Sequence, residues 1–352
     1  MRNIILLSLF FLMAILTGCS QDESISNITE YEYGSSNTIT FTPMEFGNVF
    51  DNLAVTRGCQ STTDNLTTYG VSAAIYPATN SYTTAGCGSY FFNESIDASN
   101  GNSGYYWPGN NYKVSFYAYA PYNSLTLHSK DDLGYPIYSY TVPSAIANQA
   151  DFITAEVLDH SGAGITDPVP LTFYHQCTDI CFNVYNQGSD AITVHSIAIS
   201  GVKYSGTYTN GVWTLNPAVN SSSVNPFLLS LGIVVAADAT VDVTGTTNHF
   251  VMLPQTVTTG TAIFDVDATV SGVRKHYYHT LTSDLVLQKG KSYTFKLTLG
   301  EGALIVDTET DIQDWEVEVK YLTIGGVSTN NTWSQPGVND GQDFGVEDWE
   351  EE

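Results

Sequence analysis

Residues 171–186 read LTFYHQCTDICFNVYN, and their apolar positions change parity partway through. Leu171, Phe173, His175 and Cys177 fall on odd positions, whereas Ile180, Phe182 and Val184 take even ones. Side chains of a strand alternate between its two faces, so an apolar face cannot pass from odd to even without a bulge or bend. The period of two identifies β-structure. The break at Thr178–Asp179 marks where one folded unit hands over to the next.

Outward from that point the same style repeats in both directions. Upstream stand NTITFTP, YGVSAAIYP, GSYFFNESI, YKVSFYAYAPY, YPIYSYTVP and DFITAEVLD; downstream stand ITVHSIAIS, GTYTNGVWTL, HFVMLPQTV, AIFDVDATVSG, RKHYYHTLT, KSYTFKLTL and WEVEVKYLTI. Gly, Asn, Pro and Asp clusters separate them, as turns require. Nowhere do apolar residues at helical spacing persist for three turns. Only 13% of the 352 residues are charged, and the chain carries 23 tyrosines. The fold class is therefore all-β: two tandem β-sandwiches, residues 37–178 with a first strand at 37–42, and residues 179–324.

Charge excludes one class of partner. Eleven basic residues against 36 acidic give −25, which repels phosphate backbones, so no nucleic acid is expected to bind. Asp340, Asp343, Glu347, Asp348 and Glu350–Glu352 crowd the C-terminus. Residues 325–352 read as an acidic, flexible tail, since Gly, Asn, Pro and acids interrupt every candidate strand.

The other end reads as an export signal. MRNIILLSLFFLMAILTGC has a basic start and an apolar run from Ile4 to Ile15, short for a membrane span and right for a secretory leader. Leu16-Thr17-Gly18-Cys19 resembles the lipobox of bacterial lipoproteins. Residues 1–18 are then a signal peptide, Cys19 is the lipidated residue, and 19–36 form a linker. Several acyl chains would hold the protein stably to the cell outer membrane, where one gives only marginal binding.

The search for chemistry yields no enzyme. G-x-S-x-G, H-E-x-x-H and P-loop patterns are absent. His175, Cys177, Asp179 and Cys181 would share one face of an unbroken strand and hold elements of a metal site, but the parity break spoils that alignment. Burial as an ordinary core strand is favoured, with no metal and no cofactor. Cys177 and Cys181 would lie roughly 13 Å apart in an extended strand, too far for a disulfide. Cys59–Cys87 is an open pairing in an oxidising compartment. His276 and His279 fall on opposite faces, and neither Asp131-Asp132 nor Asp265/Asp267 has a partner at catalytic spacing. The run GYYWPGNNYKVSFYAYAPY reads as core and cross-strand pairs in preference to a sugar-stacking platform.

Taken in order, these stretches resemble the fimbrillin family of Gram-negative pilus subunits. The likeness rests on the lipobox leader, NTITF, Thr56-Arg57 before a Gly/Ser/Thr-rich loop, YYWPGNNYKVSFYAYAPY, ADFITAEV, VPLTFYHQCTDICFNV, and GKSYTFKLTL followed by IQDW. It runs from residue 1 to about 321; Cys177, Cys181 and the acidic tail depart from it. The resemblance implies two transthyretin-like sandwiches and passage to the cell surface as a lipoprotein. There a surface protease cuts after an arginine and removes the first strand, and a strand from another pilin subunit fills the gap in the growing fimbrium. The implied cut lies between Arg57 and Gly58. Gly58 and QSTTDN supply the accessible loop such a protease needs, whereas Arg274 follows a turn between strands and is expected to be less accessible. The implied function is a fimbrial subunit or pilus-tip adhesin. The alternative is a surface glycan-binding lipoprotein that keeps its first strand.

Overall fold

The computed structural model describes residues 37–44, 66–131, 133–163, 167–245, 248–300, 304–314 and 318–325. Apart from one 3-10 turn at Ile146–Asn148, the regular elements are strands. In chain order the first are β1 (Thr38–Met44), β2 (Thr68–Pro77), β3 (Gly88–Asp97), β4 (Asn102–Tyr106), β5 (Tyr112–Ala120) and β6 (Thr126–Lys130). Next come β7 (Pro136–Thr141), β8 (Ile153–Ser161), β9 (Val169–Thr172), β10 (Tyr174–His175), β11 (Thr178–Asn186) and β12 (Ile192–Ile199). Then follow β13 (Ser205–Thr209), β14 (Val212–Leu215), β15 (Phe227–Val235), β16 (Thr240–Asp242), β17 (Phe250–Met252) and β18 (Gln255–Val257). The last are β19 (Ala262–Val270), β20 (Val273–Thr280), β21 (Leu285–Leu287), β22 (Lys291–Leu299), β23 (Leu304–Asp314) and β24 (Glu318–Gly325).

The all-β class expected from the period-two pattern is what the chain adopts. A three-stranded sheet, β4-β1-β9, and a five-stranded sheet, β10-β8-β5-β2-β3, enclose one core. Ile39 and Phe41 enter it from β1, Val71 from β2, Val114 and Phe116 from β5, and Leu171 from β9. Strands β2 and β5 are buried on both faces, which is why YGVSAAIY and VSFYAYA carry few polar residues. The second face of the five-stranded sheet is covered by Tyr135, whose ring lies 4.6 Å from that of Tyr117.

A larger core forms downstream. Phe182 on β11 packs against Phe250, Phe264 and Phe295, with ring centroids 5.2–5.9 Å apart. These rings bring together the sheet β16-β11-β22-β23-β24, which β17 joins through β11, and the sheet β15-β12-β19-β20. This core also reaches Tyr138 and Tyr140, because β6 and β7 form a sheet with β13 and β14.

The parity break has a direct structural meaning. Residues 175–182 are all buried. β10 pairs with β8 of the five-stranded sheet, whereas β11, two residues later, pairs in parallel with β22. The chain changes sheets between His175 and Thr178, so one apolar face ends and another begins.

Candidate assembly groove around the first strand

Strand β1 lies in the middle of its sheet. It pairs antiparallel with β4 through Thr38–Tyr106 and Thr40–Asn102. On its other edge it runs parallel to β9, from Phe41–Val169 to Met44–Thr172. NTITFTP folds this way because Ile39 and Phe41 share one face and both are buried, at 0% and 3% exposure. The Phe41 ring meets Phe116 edge-on at 5.1 Å.

The groove holds β1 by its backbone as well as by these side chains. Phe41 N–H donates to Gly101 carbonyl at 2.9 Å, Trp107 N–H donates to Asn37 carbonyl at 3.2 Å, and Ser103 Oγ donates to Ile39 carbonyl at 2.8 Å. Gly101 adopts φ +63°, and a Cβ there would sit 1.9 Å from the Phe41 carbonyl oxygen. Glycine at 101 is thus a condition of the strand's close approach. These bonds suit an occupant with an extended backbone and apolar residues at alternate positions, as Ile39 and Phe41 are. That is the requirement of strand addition to a sheet edge.

The sequence-derived sites fall as follows. Cys19, Arg57, Gly58 and Cys59 lie outside the described residues, as do the leader, the linker and residues 326–352. Cys87 is buried, and its thiol donates to the Thr84 carbonyl at 3.1 Å. Cys177 and Cys181 are separate free thiols, as strand geometry requires. Burial in apolar surroundings raises the pKa of Cys177, which makes it an inert core residue. The four residues weighed as a metal set divide at the parity break. His175 Nδ1 faces Asp151 at 2.9 Å, whereas Asp179 and Cys181 face His249. His249 is 68 residues from Cys181 in sequence, a distance no local pattern bridges.

His276 and His279 point to opposite faces as read, the first exposed and the second buried. Asp267 is paired with Arg274, and Asp265 lies 3.6 Å from His276, so each aspartate faces a β20 side chain across the β19–β20 pair. The Arg274 hydrogen bonds hold the Asp267 carboxyl below its usual range. Arg274 lies near the start of β20. Its side chain is 64% exposed, while its backbone is tied in the β19–β20 ladder opposite Thr269. In the aromatic run, Trp107, Phe116, Tyr117 and Tyr119 are buried and Tyr106 is exposed. Tyr105, Tyr112 and Tyr122 are half-buried, so the run divides between core and surface. Among the described residues no helix is long and apolar enough to cross a membrane.

A fimbrillin-like family model matches residues 56–315. No curated protein sequence matches the chain. A crystal structure of a candidate cell adhesion protein from Bacteroides ovatus superposes with TM-score 0.50 at 14% identity, covering 84% of this chain and all of that one. A candidate cell adhesion protein from Bacteroides uniformis gives 0.43 at 16% identity, over 79% and 98%. A fimbrial assembly protein from Parabacteroides distasonis gives 0.33 at 14% identity, over 72% and 91%.

Proposed function

Since this chain belongs to the fimbrillin-like family, we propose that it is a surface fimbrial subunit whose first strand is a placeholder for a strand of another subunit. The observation that carries the reading is the position of β1, a mid-sheet strand with β4 on one edge and β9 on the other. Removing it would leave two rows of backbone donors and acceptors unpaired and expose the Phe116 side of the core. An extended segment from a second subunit would restore both. The leader would bring the chain to the outer membrane through acylated Cys19, and a surface protease would cut between Arg57 and Gly58. The work is polymerisation and adhesion, without catalysis.

Mass spectrometry of the protein before and after surface exposure tests this. The membrane-bound precursor should begin at acylated Cys19 and the assembled form at Gly58. Arg57→Ala should give folded monomers that fail to polymerise. Polymers whose subunits retain residues 19–57 would overturn the strand-exchange reading.

A further inference from the structure

A second constellation lies in the downstream core, away from the groove. Asp179 and Cys181 are on β11, Ser292 is on β22 beside Asp179, and His249 immediately precedes β17. All four are buried. His249 Nδ1 lies 3.1 Å from Asp179 Oδ2 and 3.2 Å from Cys181 Sγ, and Sγ lies 3.6 Å from the same Oδ2. Three donor atoms of different chemistry therefore converge on one point.

The hydrogen-bond inventory indicates what belongs there. His249 Nε2 lies 2.8 Å from the Gly245 carbonyl oxygen, which only accepts, so Nε2 carries the ring hydrogen. In the neutral ring Nδ1 is then a lone pair, aimed at a carboxylate and a sulfur. The Cys181 thiol hydrogen can serve only one of the two acceptors, Nδ1 or the carboxylate, so the contact between Nδ1 and the carboxylate still calls for a further proton or a cation. A histidine that donates its far N–H to a backbone carbonyl has the arrangement of a metal-ligating imidazole. Ser292 Oγ, donating to Asp179 Oδ2 at 2.7 Å, fixes the carboxylate in the same way.

From this geometry we infer that Asp179, Cys181 and His249 form a zinc-binding site. Thiolate, imidazole and carboxylate are the donor types Zn²⁺ takes, and bonds of about 2.0–2.3 Å place tetrahedral donors roughly 3.4–3.6 Å apart. The donors here are 3.1–3.6 Å apart, so each shifts outward by only a few tenths of an ångström. A thiolate, a carboxylate and a neutral imidazole with a dication sum to zero charge, which a buried site tolerates. The ion would tie β11 to the segment that enters β17, and through Ser292 to β22. It would brace the downstream core independently of the groove.

The test uses the detergent-extracted full-length protein and the metal alone. Dialysed wild type should retain one Zn²⁺ per chain, and Co²⁺ in its place should give the thiolate charge-transfer and tetrahedral visible bands. Cys181→Ser should abolish the charge-transfer band, while Cys87→Ser and Cys177→Ser keep it. Because His249→Gln and Cys181→Ser sit in a core, a measurement on wild type stands beside them. Excess Zn²⁺ should raise Tm by about 5 °C over protein treated with chelator. Absence of stoichiometric metal together with an unmoved Tm would overturn the inference and leave a proton-bridged His249–Asp179 pair. Binding unaltered in both variants would overturn it equally.

Discussion

Strands β1 and β24 stand near the two ends of the described chain and are held differently. β1 is hydrogen-bonded on both edges and sends Ile39 and Phe41 into a closed core. β24 is the outermost strand of its sheet, paired along one edge to β23 in an unbroken register from Ile305–Gly325 to Ile312–Glu318. The strand with more neighbours is the one read as removable. The apparent paradox resolves in how each is joined to the chain. β24 closes a hairpin with β23 and so pairs with its sequence neighbour, whereas β1 pairs with β4 and β9, and no partner adjoins it in sequence. A strand that pairs only with distant elements can be replaced by another chain without rearranging its neighbours. Number of contacts and ease of exchange are separate properties.

The largest expected effect breaks the β1 side of this comparison. Phe41→Ala removes a ring that packs on Phe116 and should cost about 3–5 kcal/mol, the usual range for a buried phenylalanine. Urea unfolding of the intact chain measures it. A loss below about 1 kcal/mol would mean that β1 is already weakly held, and that cleavage alone would release it. Gly101→Val should follow. A side chain there meets the Phe41 carbonyl and also strains a residue at positive φ, and a cost on the order of 2–3 kcal/mol is expected. The same variant sharpens the exchange idea. In a chain that starts at Gly58, it should also block capture of a synthetic NTITFTPM peptide, which the wild-type groove should bind.

A smaller effect probes the opposite core. His279 on β20 is buried beside Phe264, and neither ring nitrogen has a hydrogen-bond partner. Burial lowers its pKa from 6.5 to about 4. The folded state therefore favours the neutral ring. Its contribution is complete above pH 6.5 and declines as pH falls toward 4, because the unfolded chain binds the proton first. Between those limits the loss should be on the order of 2–3 kcal/mol. The wild-type minus His279→Leu difference in stability, measured from pH 7 to 4.5, isolates it from the other titrating groups. A flat difference would show that water reaches the ring. The groove around β1 should not respond.

Much of this arrangement was legible in the sequence, and the reasons are physical. Alternation in NTITFTP and the parity change in LTFYHQCTDICFNVYN report which face is buried, since a side chain's face is a local property. The alternation placed strands in these stretches, and the parity change lies where the chain passes from β10 to β11. Which strands pair was not legible. Residues 136–141 join a sheet with 205–215, and β1 runs parallel to β9 across more than a hundred residues. Long-range pairing of this kind is fixed by packing and leaves no signature within a strand. The same limit hid His249. Asp179 and Cys181 were visible as same-face residues, but their partner lies on the other side of β12 to β16, and HF at 249–250 carries no local mark of a ligand.

The smallest effect concerns the residues beyond β24, and it tests whether the comparison names the right donor. A donor must alternate apolar residues over at least five positions, because each fills a pocket of the recipient groove. WEVEVKYLTI does so, with Trp315, Val317, Val319 and Tyr321 on one parity and Glu316, Glu318 and Lys320 on the other. GVSTNNTWSQPGVNDGQDFGVEDWEEE does not, since Gly, Pro, Asn and acids fall within every candidate run. Ending the chain after Gly325 removes seven acids and no basic residue, taking the net charge from −25 to −18. Stability of the monomer should change by less than about 0.5 kcal/mol, as for surface changes away from packed features. Polymer formation should persist, somewhat less sensitive to salt because like charges are fewer. If the truncated monomer folds yet no longer polymerises, the donor lies in the tail despite its composition. β24 would then be a fixed edge of its own sheet, and the contrast with β1 would concern two strands that both stay within one subunit until a protease acts on the first.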